Sequence, residues 1–276
     1  VHKHLPESKL FEQINIFKDK VKFRKLLAST FPEFYFKEIS LEDIHKIDPA
    51  ELEFPLVIKP AIGFLSIGVH IVYNLDDWIT AKEALRPEKL KSIFPESVLN
   101  TSNFIIEKYI EGEEYAIDYY YDQDGKVVVL NILHHIFASG NDTSDRVYTT
   151  SKAIVTRYKE KIEDFLTLIG EKLEVKNFPG HAEVRIDEKG TVYPIEINPM
   201  RFGGWCTTAD LVGISLGYNL YEYYFCQKQP DWDAIYKGKE DSYFSIIILN
   251  NNSGIDAEAI SKFDYEKLAK SFENPR

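Results

Sequence analysis

The apolar positions of this 276-residue chain change period several times, and each change marks an element. From Phe17 to Leu27 the spacing predicts an amphipathic helix. Phe17, Val21, Leu26 and Leu27 lie on one side, Lys18, Lys20, Lys22, Arg24 and Lys25 on the other, and Phe31-Pro32 ends it. Phe54 to Pro60 reads as a short strand between prolines, Ala61 to Gly68 as a loop, and Val69 to Tyr73 as a second strand. Asn74 or Asp76 caps a helix running through Trp78, Ala81 and Leu85. Phe104-Ile105-Ile106 is a further strand leading into Glu107-Lys108-Tyr109-Ile110. Tyr115 to Tyr121 and Lys126 to Leu133 flank Asp122-Gln123-Asp124-Gly125, a hairpin turn signal. Residues 138–152 have no period and read as a long loop. Arg157 to Leu173 predicts a helix with Ile162, Phe165, Leu166 and Ile169 on one face. His181 to Asn198 predicts a second hairpin turning at Lys189-Gly190, and Thr207 to Tyr224 a helix that carries Gly213 and Gly217. Helices and strands alternate irregularly and the strands come as antiparallel hairpins, so the expected class is α+β rather than a regular parallel α/β sheet.

Composition narrows the picture. Hydrophobic residues make up 44% and charged residues 28%, enough for a packed core without staples. Basic residues number 33 against 44 acidic ones, a net charge of −11 that opposes binding to a phosphate backbone, so a nucleic-acid partner is not expected. The two cysteines, Cys206 and Cys226, are too few for a disulfide framework and point to a reducing compartment. No apolar run approaches the roughly 18 residues of a membrane helix, and the first residues form no signal peptide, so a cytoplasmic protein without a membrane partner is expected.

The second predicted hairpin carries the most chemistry. Alternation puts His181, Glu183 and Arg185 on one strand face, and Glu196 and Asn198 on the face of the next strand. With Lys189-Gly190 as a two-residue turn, paired residues sum to 379, which sets Glu183 opposite Glu196 and His181 opposite Asn198. Two carboxylates so placed repel unless a cation lies between them, and Glu, Glu and an amide oxygen suit Mg²⁺. A solvated strand face with tolerated acids reads equally well from spacing alone. The loop from Ala61 to Gly68 contains Gly63, Ser66 and Gly68 and lacks a Walker pattern; it is either a phosphate cover or an ordinary hairpin loop. The acids of Glu107 to Glu114 read as a charged connection, and Asp19-Lys20 as a helix face. His134-His135 lacks a second ligand pair for zinc, Cys206 reads as a buried thiol, and Tyr119-Tyr120-Tyr121 as core aromatics.

In order along the chain, Asp19-Lys20, Pro55-Leu-Val-Ile-Lys59-Pro60, Gly63…Ser66…Gly68, Glu107-Lys-Tyr-Ile-Glu-Gly-Glu-Glu114 and Glu183…Glu196-Ile-Asn198 resemble the ATP-grasp superfamily of carboxylate–amine ligases. The resemblance covers roughly residues 18–225. It implies two α+β lobes clamping ATP, with Lys20 and Lys59 on the phosphates and Gly63 to Gly68, including Ser66, as the flap above them. Glu107 would meet the adenine amino group, Lys108 and Ile110 the ring edge through their backbones, and Glu114 the ribose hydroxyls. Glu183, Glu196 and Asn198 would ligate Mg²⁺. Arg201 is similar to an arginine that steadies the transferred phosphate, although it follows Asn198 by three residues rather than the commoner two. Arg146 falls where the family often brings another base to the phosphates, while His181 and Arg185 are candidate substrate or phosphate contacts.

The activity so implied is ATP- and Mg²⁺-dependent: a small carboxylate is activated as an acyl phosphate and an amine attacks it. A kinase, or a nucleotide-binding module without turnover, remains the alternative on the same scaffold. The expected organisation is a lead-in over 1–45 with the lysine-bearing helix, a small lobe over 46–108, a large lobe over 109–229 and a C-terminal extension over 230–276. The resemblance further implies a domain upstream of the first lysine. The starting Val1, with Met200 the sole methionine, fits a processed or trimmed chain, and truncation at the C-terminal end is expected on the same reasoning.

Overall fold

A computed structural model of the chain describes residues 8–63, 67–86, 103–137, 146–204, 207–249 and 254–272. Two antiparallel sheets organise it. The first contains β1 (Phe36–Ser40), β2 (Leu56–Pro60), β3 (His70–Val72) and β4 (Asn103–Lys108) in the order β1-β4-β2-β3. The second contains β5 (Glu113–Tyr121), β6 (Val127–His135), β7 (Val147–Ser151), β8 (Phe178–Ile186), β9 (Val192–Pro199) and β10 (Tyr243–Ile247) in the order β10-β7-β6-β5-β8-β9. The α+β expectation holds.

Strand alternation sorts each sheet into a core face and a cleft face. In the first sheet Leu56, Ile58, Phe104 and Ile106 join Trp78 and Leu85 in one buried cluster. Their neighbours Val57, Lys59 and Glu107 turn the other way and line the cleft. In the second sheet Ile117, Tyr119, Tyr121, Phe178, Ala182 and Val184 pack in the large core with Ile162, Phe165, Leu166 and Ile169. Those four lie on α5 (Lys152–Leu173), which Ser151 caps by accepting from the Ile154 N–H. The alternate residues Ala116, His181, Glu183 and Arg185 line the cleft.

Several expectations are corrected. The single helix over 17–27 is two, α1 (Leu10–Lys18) and α2 (Lys20–Leu27), because Asp19 leaves the helical region and accepts from the Val21 and Lys22 N–H groups. Lys20 and Arg24, on the basic side of this pattern, are buried, for reasons given below. Residues 147–151, expected in a loop, form β7, paired to β6 and β10; their run of two threonines and a serine offers no apolar alternation to read. The helix over 207–224 is broken into α6 (Thr207–Ser215) and α7 (Leu220–Phe225) at Gly217, whose φ of 86° ends α6. The first sheet takes β1 from the expected lead-in and the second takes β10 from the expected C-terminal extension, so both extend past the expected boundaries.

The second hairpin shows a compensating pair of deviations. Its strands pair Ile186 with Val192 and Val184 with Pro194, which leaves a five-residue connection rather than a two-residue turn. A bulge between Glu183 and Val184 then shifts the register by one, so Glu183 faces Glu196 and His181 faces Asn198. The expected pairing at the carboxylates is present, reached through a longer turn and an extra residue at Ile195.

Candidate active site

A cleft of about 490 Å³ lies between the cleft faces of the two sheets. Its apolar walls come from both, with Val57 and Ile71 on one side and Ile195, Ile246 and Ile248 on the other. Its charged lining converges from three sources: Lys20 on α2, Lys59 and Glu107 on the first sheet, and Glu183, Glu196, Asn198 and Arg201 on and just after the second hairpin.

Helix α2 aims Lys20. The Asp19 cap fixes the start of the helix, and the Lys20 N–H donates to the Ala61 carbonyl at the end of β2 (2.9 Å). The Lys20 ammonium thereby meets Glu196 at 2.6 Å. Asn198 Nδ2 donates to the other Glu196 oxygen at 2.9 Å. Burial pushes the Glu196 carboxyl up, but the Lys20 charge and hydrogen bond, with Asn198, hold it down at about 2. It is therefore a carboxylate at neutral pH, with Glu183 directly across the ladder. Two carboxylates and an amide form the hard donor set that suits Mg²⁺.

One turn along α2, Arg24 forms a fork on Glu107, Nε to Oε2 at 2.8 Å and Nη2 to Oε1 at 3.1 Å. Lys59 Nζ reaches the same carboxylate at 2.6 Å. All three side chains are nearly inaccessible, at 3–5% exposure. Burial raises the Glu107 carboxyl, and the Arg24 and Lys59 charges overcome this to hold it at about 2. Burial likewise pushes Lys59 down; Glu107 opposes this, and the Arg24 and Lys20 charges add to it, so the net shift is downward. Both Glu107 oxygens are thus engaged, and an adenine amino group would have to share them.

Glu114 is held similarly, by His135 Nδ1 at 2.9 Å and Arg185 Nε at 3.1 Å. Arg185 also donates to the Ile110 carbonyl at 2.8 Å, with its guanidinium 4.8 Å from the Tyr109 ring centroid. It acts here as a clamp joining the 107–110 strand end to Glu114. His135 stacks on Tyr148 with ring centroids 4.2 Å apart. Lys108 and Ile110 line the cleft beside it.

His181 is fixed on both sides. Its Nδ1 meets Asp118 Oδ1 at 2.8 Å, and the same oxygen accepts from the Gly203 N–H at 2.8 Å. A Cβ at Gly203 would overlap the His181 ring, so the loop that carries Arg201 passes over this histidine only because residue 203 is glycine. Gly63 lines the cleft, and Gly68 has a φ of 72° with the Pro60 ring close by, while Ser66 lies outside the described residues. Cys206 lies outside them too. Arg146 is not brought to the cleft: its carbonyl accepts from the Ile248 N–H at 2.7 Å at the edge between β7 and β10.

Arg24, Asp118 and His135 escaped the sequence reading. Arg24 sits among lysines on a basic helix, and the signal that marks it is its spacing four residues after Lys20, which sets both on one face. Asp118 lies inside an apolar strand, where a lone buried acid is itself the signal.

A family model described as the ATP-grasp domain matches residues 52–209, more than half of the chain. The chain belongs to the ATP-grasp family. It is 28% identical over 167 residues to D-alanine–D-alanine ligase A of Bacillus cereus, a match covering 58% of this chain and 49% of that protein. A D-alanine–D-alanine ligase of Bacillus anthracis is 35% identical over 95 residues, 34% of this chain and 26% of that one. This ATP-grasp chain therefore spans about half the length, or less, of these relatives. Among solved structures, the L-amino acid ligase from Bacillus licheniformis superposes with a TM-score of 0.59 at 23% identity, covering 81% of this chain and 48% of that one. The ADP complex of purK, N5-carboxyaminoimidazole ribonucleotide synthetase, gives 0.54 at 13% identity, covering 78% and 52%. These likenesses establish the fold. Among the described residues no helix is long and apolar enough to cross a membrane.

Proposed function

We propose that this ATP-grasp chain binds ATP with Mg²⁺ and activates a small carboxylate for attack by an amine. The observation that carries this reading is the meeting of Lys20, Lys59, Glu183, Glu196 and Asn198 in one cleft between two sheets. The apolar walls suit a purine ring, and the far end gathers the charges a triphosphate needs. Glu183, Glu196 and Asn198 would hold Mg²⁺, which would supply neutralising charge to the phosphates.

The carboxylate oxygen attacks the γ-phosphorus, the bond to the bridging oxygen breaks, and ADP leaves with an acyl phosphate formed. The amine then attacks the acyl carbon, inorganic phosphate departs, and the amine loses a proton as the amide forms. Lys20 and Lys59 place fixed positive charge against the phosphates, lowering the repulsion between two anionic reactants. Arg201, at the end of β9, extends that charge toward the acceptor side. Glu114 with Arg185 orients the ribose, and Gly63, Ile67 and Val69, which line the cleft, shield the acyl phosphate from water. The relatives named as D-alanine and L-amino acid ligases make amino acids the first class of carboxylate and amine to test.

Calorimetric titration with ATP, with and without Mg²⁺, on the wild type and Glu196→Ala tests the site. Magnesium-dependent binding that the variant loses is expected, followed by phosphate release that requires both an acid and an amine. Binding absent from a folded wild type overturns the reading, and a stable phosphorylated product that forms without an amine replaces it with a kinase.

A further inference from the structure

Lys59 faces a difficulty that the phosphate role alone does not resolve. Its ammonium lies 2.6 Å from a carboxylate that is itself almost wholly buried. A Lys59–Glu107 pair by itself carries no net charge, and a neutral pair offers little to a triphosphate. The pair is not by itself, because Arg24 forms a two-bond fork on Glu107. The three together carry one positive charge, and Lys59 is the member of the two cations that lines the cleft. An ammonium has three N–H donors, of which Glu107 requires one.

The surroundings of Arg24 hold it on Glu107, with one longer contact from Nη2 to the Ile195 carbonyl at 3.4 Å. Its side chain is 3% exposed, its Cζ stands 5.0 Å from the centre of the Phe34 ring, and it does not line the cleft. A guanidinium keeps its charge when buried, and its fork matches the carboxylate in two bonds. Lys20 lies one helical turn earlier on the same face of α2, so one short helix sets both the lysine aimed at the second sheet and the arginine aimed at the first.

We propose that Arg24 is a positioning residue for nucleotide binding. It saturates Glu107 so that the charge of Lys59 is presented to the phosphates, without itself touching them. This rests on the reading of the cleft as an ATP site. Its spacing four residues after Lys20 is the sequence feature that sets it apart from the four lysines around it, and nothing in the proposed reaction uses it directly.

A double-mutant cycle tests the inference, with MgATP affinity read by calorimetry on the wild type, Arg24→Met, Glu107→Gln and the double variant. Arg24→Met is expected to weaken MgATP binding at least tenfold while Glu107 is present, because the freed carboxylate then neutralises Lys59. In the Glu107→Gln background the same replacement is expected to change affinity less than threefold. An equal loss in both backgrounds makes Arg24 a packing residue and overturns the proposal. If Arg24→Met does not fold by circular dichroism, Arg24→Gln, which likewise removes the charge and the fork, is carried through the same cycle with the same criterion. A folded wild type that binds no MgATP overturns the ATP reading and this inference with it, whereas wild-type binding with no effect of Arg24→Met overturns this inference alone.

Discussion

At the residue scale two contacts of 2.6 Å pair the charged groups of the cleft, Lys20 with Glu196 and Lys59 with Glu107, the second within a group that Arg24 leaves with one net positive charge. Lys20 occupies the carboxylate that the reading assigns to the metal, so a free divalent cation has to displace an ammonium, whereas a triphosphate draws that ammonium away as it arrives. Unit charges at contact interact by about 4 kcal/mol at an effective dielectric near 20, well above the energy of a tenfold change in affinity. Lys20→Met is therefore expected to raise the affinity for Mg²⁺ alone by about tenfold while weakening ATP, both read by calorimetry; a variant that loses metal and nucleotide together would contradict this. Glu107 makes a second prediction. Its folded-state carboxyl is depressed from the ordinary 4.5 to about 2, so between those values the unfolded chain binds the extra proton. Its contribution, of the order of 3 kcal/mol at one unit per 1.36 kcal/mol, is fully present above the ordinary value and drains as pH falls toward 2. Urea unfolding between pH 6 and 3 should lose stability more steeply in the wild type than in Glu107→Gln, and parallel slopes would remove Glu107 from the account.

At the element scale, α2 is eight residues long and carries both Lys20 and Arg24, so its first turn decides where the phosphate end of the cleft lies. Asp19 accepts from Val21 and Lys22 and defines that turn. Asp19→Ala is expected to cost about 1 kcal/mol in chemical denaturation and to weaken ATP, with Asp19→Asn restoring both because asparagine caps comparably. This helix also shows where sequence pattern stops being informative. Periodicity locates the segment, and a basic helix side ordinarily faces solvent because charged residues are rarely buried. Burial of Arg24 and Lys20 is set by carboxylates 83 and 176 residues away, on β4 and β9 respectively, which no local pattern contains. The second hairpin is the opposite case. Alternation with a central Lys-Gly was enough to place Glu183 against Glu196, even though the turn is longer than expected, since the bulge at Ile195 restores the register. β7 was unreadable for a third reason: Tyr148 to Ser151 is polar along its length and becomes a strand by lying between β6 and β10.

At the scale of the molecule, the site belongs to neither sheet alone. Lys59 and Glu107 stand on the first sheet, Glu183, Glu196 and Asn198 on the second, and α2 packs Val21 beside Ala61 and Ile105 while Phe23 and Leu27 enter the large core. Each sheet has its own buried cluster, so neither requires the cleft to be filled in order to fold. What the ligand adds is charge of the sign that the two basic side chains lack across the gap, and it adds it to both sheets at once. Linkage then fixes the size of the effect: a ligand at a hundred times its dissociation constant stabilises the native state by about 2.7 kcal/mol. For a chain of this length that corresponds to roughly 5–10 °C in thermal midpoint. MgATP at that excess should raise the midpoint of the wild type by this amount, measured by scanning calorimetry, and leave Glu196→Ala where it was. An equal rise for ATP in the presence of a chelator would mean that the triphosphate is held by Lys20, Lys59 and Arg201 without a metal, and the pair Glu183–Glu196 would then need another explanation.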